Sequence, residues 1–461
     1  MTEFLTAAQA AQRLGVKPAT LYAYVSRGVL RRDRAADGRS SLFDSDEVER
    51  LARRGRPRRP PGVADITVES AITDITGDRL RYRGLDVIQL ATSRAFEDVA
   101  ELLWTGELPA ARSGRGARAA RAPASAPWRA TPGALATGRA AQAALPAGTL
   151  PLERFQVIVP AMAATDPLRL QLDPAAVIAA GRSIIAGLVD CLPPSPSPSP
   201  SPSPPPSPSP PPSRPPSRPP PPPSALDSPR SDYPGTGYPD ADHPNADYPI
   251  ADRLWPRLCD RRASPALRRA LSAALVLLAD HELTASTLAA RAAASVRADP
   301  YAVVETGMGA VSGALHGGAS LGAEALLAAA DGPDNVPRVV GELLRRGEKV
   351  PGFGHFVYRG GDPRAVLLLD LVRRAAPKSR PLAVAEAVLA EVRRKSLPEP
   401  NIDFALATLA RVAGMITGSG EAVFAVARTA GWIAHALEAY AGPGPLRPRA
   451  VYTGRPPVAG R

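Results

Sequence analysis

Five histidines stand in 461 residues, and two of them lie in glycine-rich strings of the kind that let backbone approach a ligand. His316 is followed directly by Gly317 and Gly318 in SGALHGGASLGAEAL, residues 312–326. His355 sits in VPGFGHFVYRGGDPRA, residues 350–365, which also carries Arg364. Asp403 follows Pro398 and Pro400 at the start of an apolar segment, where a carboxylate serves either as a base or as a helix cap. His281 is flanked by Asp280 and Glu282 in ADHELTAST. One such histidine is ordinarily a hydrogen-bonded structural residue, but several such loops in one chain point to a built site. Neither Cys191 nor Cys259 falls in a CxxC or Cys/His spacing. That excludes a disulfide framework and the usual structural zinc, and it predicts a reducing compartment.

GALHGGA, GFGHFVYRGGDPRA and NIDFALA, in this order, resemble the signature strings of citrate synthases. The likeness extends to YRGLDVIQLA, FEDVAELLWTGELP, ADHELTASTLAARAAAS, FAVARTAGWIAHALE and RPRAVYTG, over roughly residues 65–110 and 250–455. The resemblance implies a mainly α, two-domain citrate synthase-like fold. Residues 63–315 and 426–461 would form a large helical domain, and residues 316–425 a small one. It also implies condensation of acetyl-CoA with oxaloacetate and water to give citrate and CoA, without a cofactor or a metal, by a homodimer. The alternatives are a 2-methylcitrate synthase using propionyl-CoA and a DNA-binding regulator that keeps the body as a metabolite sensor.

Carried over string by string, the resemblance makes Asp403 the base that takes a proton from the acetyl methyl group. His316 becomes the donor to the thioester oxygen, and His355 the group that polarises the ketone of oxaloacetate. His281, Arg364 and Arg428 would hold the oxaloacetate carboxylates, with Arg447 supplied by the other subunit. The residue types suit the task. A thioester methyl is a very weak carbon acid, so a carboxylate deprotonates it only if the enol oxygen is stabilised at once. Arginines grip carboxylates with two parallel hydrogen bonds. Some neighbours depart from the pattern: Phe356 stands for a common arginine, Ala314 for a common proline, and Thr284 and Ser320 for common asparagines. Ala405–Ala407 replace a tyrosine-containing turn.

The elements that must position these residues read as helices. Apolar positions recur at helical spacing in SPALRRALSAALVLLADHELTASTLAARAAAS and FALATLARVAGMITG. Residues 66–84 are the exception and predict a short hairpin turning at Thr76–Asp78. The apolar run Ala270–Ala279 is too short to span a bilayer, and no export signal is visible, so the sequence predicts a cytoplasmic protein. Residues 193–223 contain only proline, serine and two arginines. Within residues 193–250, which continue as a polar loop, this tract is either a linker or an insertion into one domain. The shared strings on both sides favour an insertion, polyproline or disordered.

The N-terminal 55 residues form a separate pattern, joined through RPRRPPG, residues 56–62. Thr6 is placed to cap a first helix with Ala7, Ala10, Ala11 and Leu14 on one face, ended by Gly15. Pro18 opens a second helix in which Leu21 and Val25 face the first. A basic stretch turns at Asp37–Gly38, and Ser45 is placed to cap a third helix. This resembles a winged helix-turn-helix of the MerR/excisionase class. The resemblance implies DNA contacts from Lys17, Thr20, Tyr22 and Arg27 on or beside the second helix, and from Arg31, Arg32 and Arg39 on the wing. The alternative is a small helical appendage for protein contacts. Residues 1–62 carry a net +6, half of the chain's +12, which suits an anionic partner. Arginine is nevertheless common throughout, with only four lysines in the chain, which looks like codon bias.

Overall fold

The computed structural model describes residues 4–14, 21, 24–25, 30–34, 41–45, 47–48, 68–110, 128–195, 248–358, 360–442 and 444–448. Gly15, Pro18, the Asp37–Gly38 turn, the 56–62 linker and most of the Pro/Ser tract lie outside the described residues. The chain divides into two compact units, residues 1–69 and 70–461.

In the first unit, β1 (Phe4–Thr6) leads into α1 (Ala7–Leu14), followed by β2 (Asp33–Arg34) and β3 (Ser41–Asp44). The strands pair antiparallel in the order β1-β3-β2. Thr6 caps α1 reciprocally with Gln9: the Gln9 amide donates to Thr6 Oγ1 at 3.4 Å, and the Thr6 amide donates to Gln9 Oε1 at 2.9 Å. Ala10, Ala11, Leu21, Leu30, Phe43 and Val48 form the core, with Leu14 and Val25 packed on it. One cap differs from the sequence expectation. Asp44, not Ser45, accepts the Glu47 amide, at 3.2 Å, and Ser45 is already helical. The carboxylate one residue earlier has the spacing that reaches the third amide of the turn.

The second unit opens with β4 (Thr73–Thr76), β5 (Arg79–Tyr82) and β6 (Leu85–Asp86), an antiparallel sheet in sequence order. Thr76 pairs with Arg79, which leaves Gly77–Asp78 as a two-residue turn with Gly77 at φ +62°. The expected hairpin is therefore present.

Helices follow: α2 (Val87–Ser93), α3 (Phe96–Thr105), α4 (Pro132–Ala143), α5 (Pro151–Ala163), α6 (Pro174–Cys191), α7 (Ile250–Leu258), α8 (Pro265–Leu278), α9 (Ala285–Ser295), α10 (Pro300–Val311), α11 (Gly318–Ala330), α12 (Val336–Arg345), α13 (Pro363–Ala375), α14 (Arg380–Arg394), α15 (Ile402–Ala413) and α16 (Ser419–Ala441). Many starts are written locally. Thr131, Asp173, Ser264, Asp299, Asp362 and Ser379 each cap a helix with proline in its first turn. The helix α6 is long and apolar enough to cross a membrane by composition, yet 61% of it is buried inside the unit. The helix α16 is apolar on nearly every side and threads the core.

The long helical pattern of residues 264–295 is interrupted. The helix α8 ends at Leu278 and α9 starts at Ala285, with His281 in the loop between. The Tyr82 hydroxyl replaces the helical partners there: it donates to the Asp280 carbonyl at 2.8 Å and accepts the Asp280 amide at 3.1 Å.

Candidate active site

Tyr82 thus sets where the chain leaves the helix, and His281 follows at once. Its Nε2 lies 2.9 Å from the Tyr358 hydroxyl. Burial, then the nearby Arg364, Arg428 and His355, holds its pKa well below the usual histidine value. His281 is therefore a neutral imidazole. The preceding Asp280 is fully buried; it accepts from Thr73 Oγ1 at 2.5 Å and pairs with His435 Nε2 at 3.3 Å. The helix α16 comes this close because residue 431 is glycine: a Cβ there would lie 2.5 Å from the Ala279 carbonyl and from Asp280 Oδ1.

The loop bearing His355 is tied to the segment before Asp403. The Gly354 amide donates to the Glu399 carbonyl at 2.8 Å, and the Asn401 amide to the Gly352 carbonyl at 2.9 Å. Gly352 and Gly354 both take φ +82°, and a Cβ on Gly352 would strike Phe404 at 2.7 Å. His355 Nδ1 accepts the Val357 amide at 3.0 Å, and its Nε2 lies 3.3 Å from Arg364 Nη2. Burial and the charge of Arg364 lower the His355 pKa to about 4. The His281 and His355 rings stand 5.3 Å apart, edge to face.

Asp362 joins these parts. It caps α13 and grips Arg364 bidentately, at 2.9 and 2.8 Å. It also accepts the Ile402 amide at 3.0 Å, one residue before Asp403. Burial alone would lower the pKa of Arg364 and raise that of Asp362, but their mutual attraction outweighs it, and both stay charged.

Asp403 is not the cap of its helix. Asn401 fills that role, accepting the amides of Asp403 and Phe404. The Asp403 carboxylate is left to the site, where Ser320 Oγ donates to its Oδ1 at 2.9 Å. Burial raises its pKa to about 6 against the pull of Ser320 and Arg364. Ser320 lies on α11, four residues after His316, which stands in the turn that precedes the helix. His316 Nε2 lies 2.8 Å from Ser286 Oγ. With the hydroxyl donating, the ring proton rests on Nδ1. Burial, then the charge of Arg428, lowers the His316 pKa to about 4.

Arg428 is buried on α16. It donates to the Leu278 carbonyl at 2.8 Å and to Thr284 Oγ1 at 3.3 Å, and it lies 4.6 Å over the Phe424 ring. Among the described residues no carboxylate lies within ion-pair distance of it, and burial lowers its pKa to about 10. A buried cation in this state favours an anionic ligand.

The structure therefore brings His281, His316, His355, Arg364, Asp403 and Arg428 to one region. Arg447 is exposed beyond α16, where its neighbour Leu446 donates to Ser295 Oγ at 2.9 Å. Arg31 and Arg32 are exposed just before β2 in the first unit, and the Arg31 amide donates to Glu47 at 3.0 Å. Lys17, Thr20, Tyr22, Arg27 and Arg39 lie outside the described residues. Sequence reasoning gave no role to Ser286, Tyr358 or Asp362, although each lies inside a string already singled out. A separate cavity of about 200 Å³, lined by Thr149, Arg154, Arg257 and Thr417 among others, holds none of these side chains.

A family model described as citrate synthase, C-terminal domain, matches residues 62–449, and one described as helix-turn-helix domain matches residues 4–56. The chain is 37% identical over 198 residues to citrate synthase 2 of Bacillus subtilis, covering 41% of this chain and 52% of that protein. It is 40% identical over 185 residues to the citrate synthase of Haloferax volcanii, covering 39% and 49%. It thus spans about half the length of the curated relatives it matches. Among solved structures, citrate synthase from Thermotoga maritima superposes with a TM-score of 0.60 at 23% identity, covering 86% of this chain and 95% of that one. The ternary complex of carboxymethyl coenzyme A and oxaloacetate with the Thermoplasma acidophilum citrate synthase gives 0.62 at 21% identity, covering 85% and 95%. These likenesses show a shared fold.

Proposed function

The chain belongs to the citrate synthase family, and from that premise we propose that it condenses acetyl-CoA with oxaloacetate and water to give citrate and CoA. The observation that carries the reading is the buried Asp403 carboxylate, held by Ser320 with a raised pKa, in one region with Arg428, a buried cation with no carboxylate within ion-pair distance among the described residues. Asp403 takes a proton from the acyl methyl carbon while the Nδ1–H of His316 donates to the thioester oxygen. His355 polarises the ketone of oxaloacetate, and the enol carbon bonds to the polarised carbonyl carbon. Arg364, Arg428 and His281 hold the oxaloacetate carboxylates. Water then cleaves the thioester, and CoA leaves as the thiol. Residues 316–425 close on the rest of the second unit and keep water out until the carbon–carbon bond exists.

The test is release of free CoA in the presence of oxaloacetate, with acetyl-CoA and propionyl-CoA supplied separately. Faster turnover of acetyl-CoA is the expected result. A preference for propionyl-CoA would make the product 2-methylcitrate, and no release from either would end the condensing reading. Arg447 of a second copy completes each site in a homodimer. Mixing Arg447→Ala with Asp403→Ala chains should then restore part of the activity.

The helix-turn-helix match and the +6 charge of residues 1–62 favour a second property, DNA binding by the first unit. Selection of genomic fragments by the full chain should enrich an inverted repeat, with affinity falling steeply as salt rises. Uniform binding to every fragment would reduce the unit to a basic appendage.

A further inference from the structure

Ser320 is fully buried on α11, four residues beyond His316, and its hydroxyl is the hydrogen-bond donor to Asp403 Oδ1 at 2.9 Å. We infer that Ser320 is a positioning residue for the base: it fixes which carboxylate oxygen is free to take the proton, and it registers that oxygen against His316 through the short turn that opens α11. This rests on the condensing reading above.

Three observations support it. First, the Asp403 amide is already spent on the Asn401 side chain, at 3.0 Å. The helix end therefore orients the backbone of residue 403 but leaves its carboxylate without a local partner. Second, with Oδ1 occupied by a donor, Oδ2 remains the more basic oxygen, and a hydrogen bond to one oxygen stops the carboxylate from rotating. Third, the space is made for this contact. Residue 420 of α16 is glycine, and a Cβ there would lie 3.1 Å from Ser320 Cβ. The small pair Ser320–Gly420 lets α11 and α16 close on each other beside Asp403.

The charged groups around Asp403 set the background against which the hydroxyl acts. Arg364 and Asp362 reach it from the start of α13, and Arg428 from α16; Glu421, at the start of α16, is raised to about 7 by burial, with Asp403 among the acids that add to it. These charges partly cancel. A neutral donor in contact therefore adjusts the base without adding a counter-charge that would suppress it. Burial raises the pKa of Asp403 and Ser320 is the first influence opposing it.

The experiment compares the parent chain with Ser320→Ala and Ser320→Cys by isotope-edited infrared titration of the Asp carboxyls. Asp403→Asn serves as the blank that assigns the band. The pH profile of kcat/KM and oxaloacetate binding are measured on the same proteins. Ser320→Ala should titrate about one pH unit higher than the parent, and the acid limb of its profile should move by the same amount. Its kcat at the plateau should fall at least tenfold while oxaloacetate binds as before. Ser320→Cys, which keeps the size and a weaker donor, should fall between the two. An unchanged Asp403 titration in Ser320→Ala overturns the inference, whatever the activity. A shifted titration with no turnover even in the parent removes the condensing reading and the catalytic role of Ser320 with it. A loss of activity with neither limb nor titration moved would mean that Ser320 acts only in packing.

Discussion

The two ends of the site are held by different forces. Around Arg364 position comes from charge and burial: Arg364 and Asp362 are both nearly inaccessible, and their bidentate pair also anchors the Ile402 amide, with His281 beside them on the Tyr358 hydroxyl. Around His316 and Asp403 position comes from one serine hydroxyl each, Ser286 at 2.8 Å and Ser320 at 2.9 Å. The difference suits what each end would do in the proposed condensation. A site for a dianion gains from fixed cations that need no reorganisation. A base for a weak carbon acid loses strength beside a full positive charge, so a hydroxyl orients it at less cost in basicity. The surfaces differ as well: Leu315 and Phe356, next to His316 and His355, are fully or largely exposed and leave the mouth of the site apolar.

The sharpest break of this contrast is Asp403→Ala. It should lower kcat by roughly 10²–10⁴ while oxaloacetate still binds, measured by turnover and by calorimetry. Near-parental turnover would remove Asp403 as the base. The same residue should trade activity for stability. Its folded pKa of about 6 stands above its ordinary 3.8. The cost of ionising it is absent below pH 3.8 and fully present above about 6. Asp403→Asn should therefore melt higher than the parent at pH 7.5 and lose that advantage near pH 4.

Asp362→Ala attacks the charged end. It strands the Arg364 cation and frees the Ile402 amide, so denaturant unfolding should show a loss of about 3–5 kcal/mol. The oxaloacetate KM should rise more than kcat falls, because Arg364 loses its orientation. Ser286→Ala attacks the hydroxyl end and should do the opposite. Stability should change by about 1 kcal/mol or less, while kcat falls about tenfold as the His316 proton is no longer fixed on Nδ1. If both variants changed stability and KM alike, the two ends would not differ in kind.

The smallest effect concerns pH in the parent. Activity should fall as pH drops through about 6, where Asp403 takes up its proton. His316 and His355, held to about 4 by burial, stay neutral through that range and should add no step above pH 5. A second inflection near 6.5 would show one of these histidines to be solvated.

Much of this was legible in the chain because it is local. A cap followed by proline starts a helix wherever it occurs, as at Asp299 and Ser379, and Gly77 announces the hairpin turn. The glycines beside His355 were visible as a loop signal, but their reason was not: Gly352 is needed because Phe404, distant in sequence, packs on it. The loop at His281 was hidden inside a helical pattern, since the group that interrupts the helix is Tyr82, on a strand 198 residues away. Ser45 was expected as a cap because its type suits the role; Asp44 has the geometry.

The sequence by itself singled out His281, His316, His355, Arg364 and Asp403, because their types stand in short strings, and it reached Arg428 only through the resemblance to citrate synthases. It also determined most helix starts, because capping acts within four residues. Only the tertiary structure decided the protonation of those residues and the partners that hold them. Whether a histidine is neutral, or a carboxylate basic, depends on burial and on charges brought from other helices. The spacing of residues 286 and 316, of 320 and 403, or of 362 and 402 along the chain carries no trace of that contact.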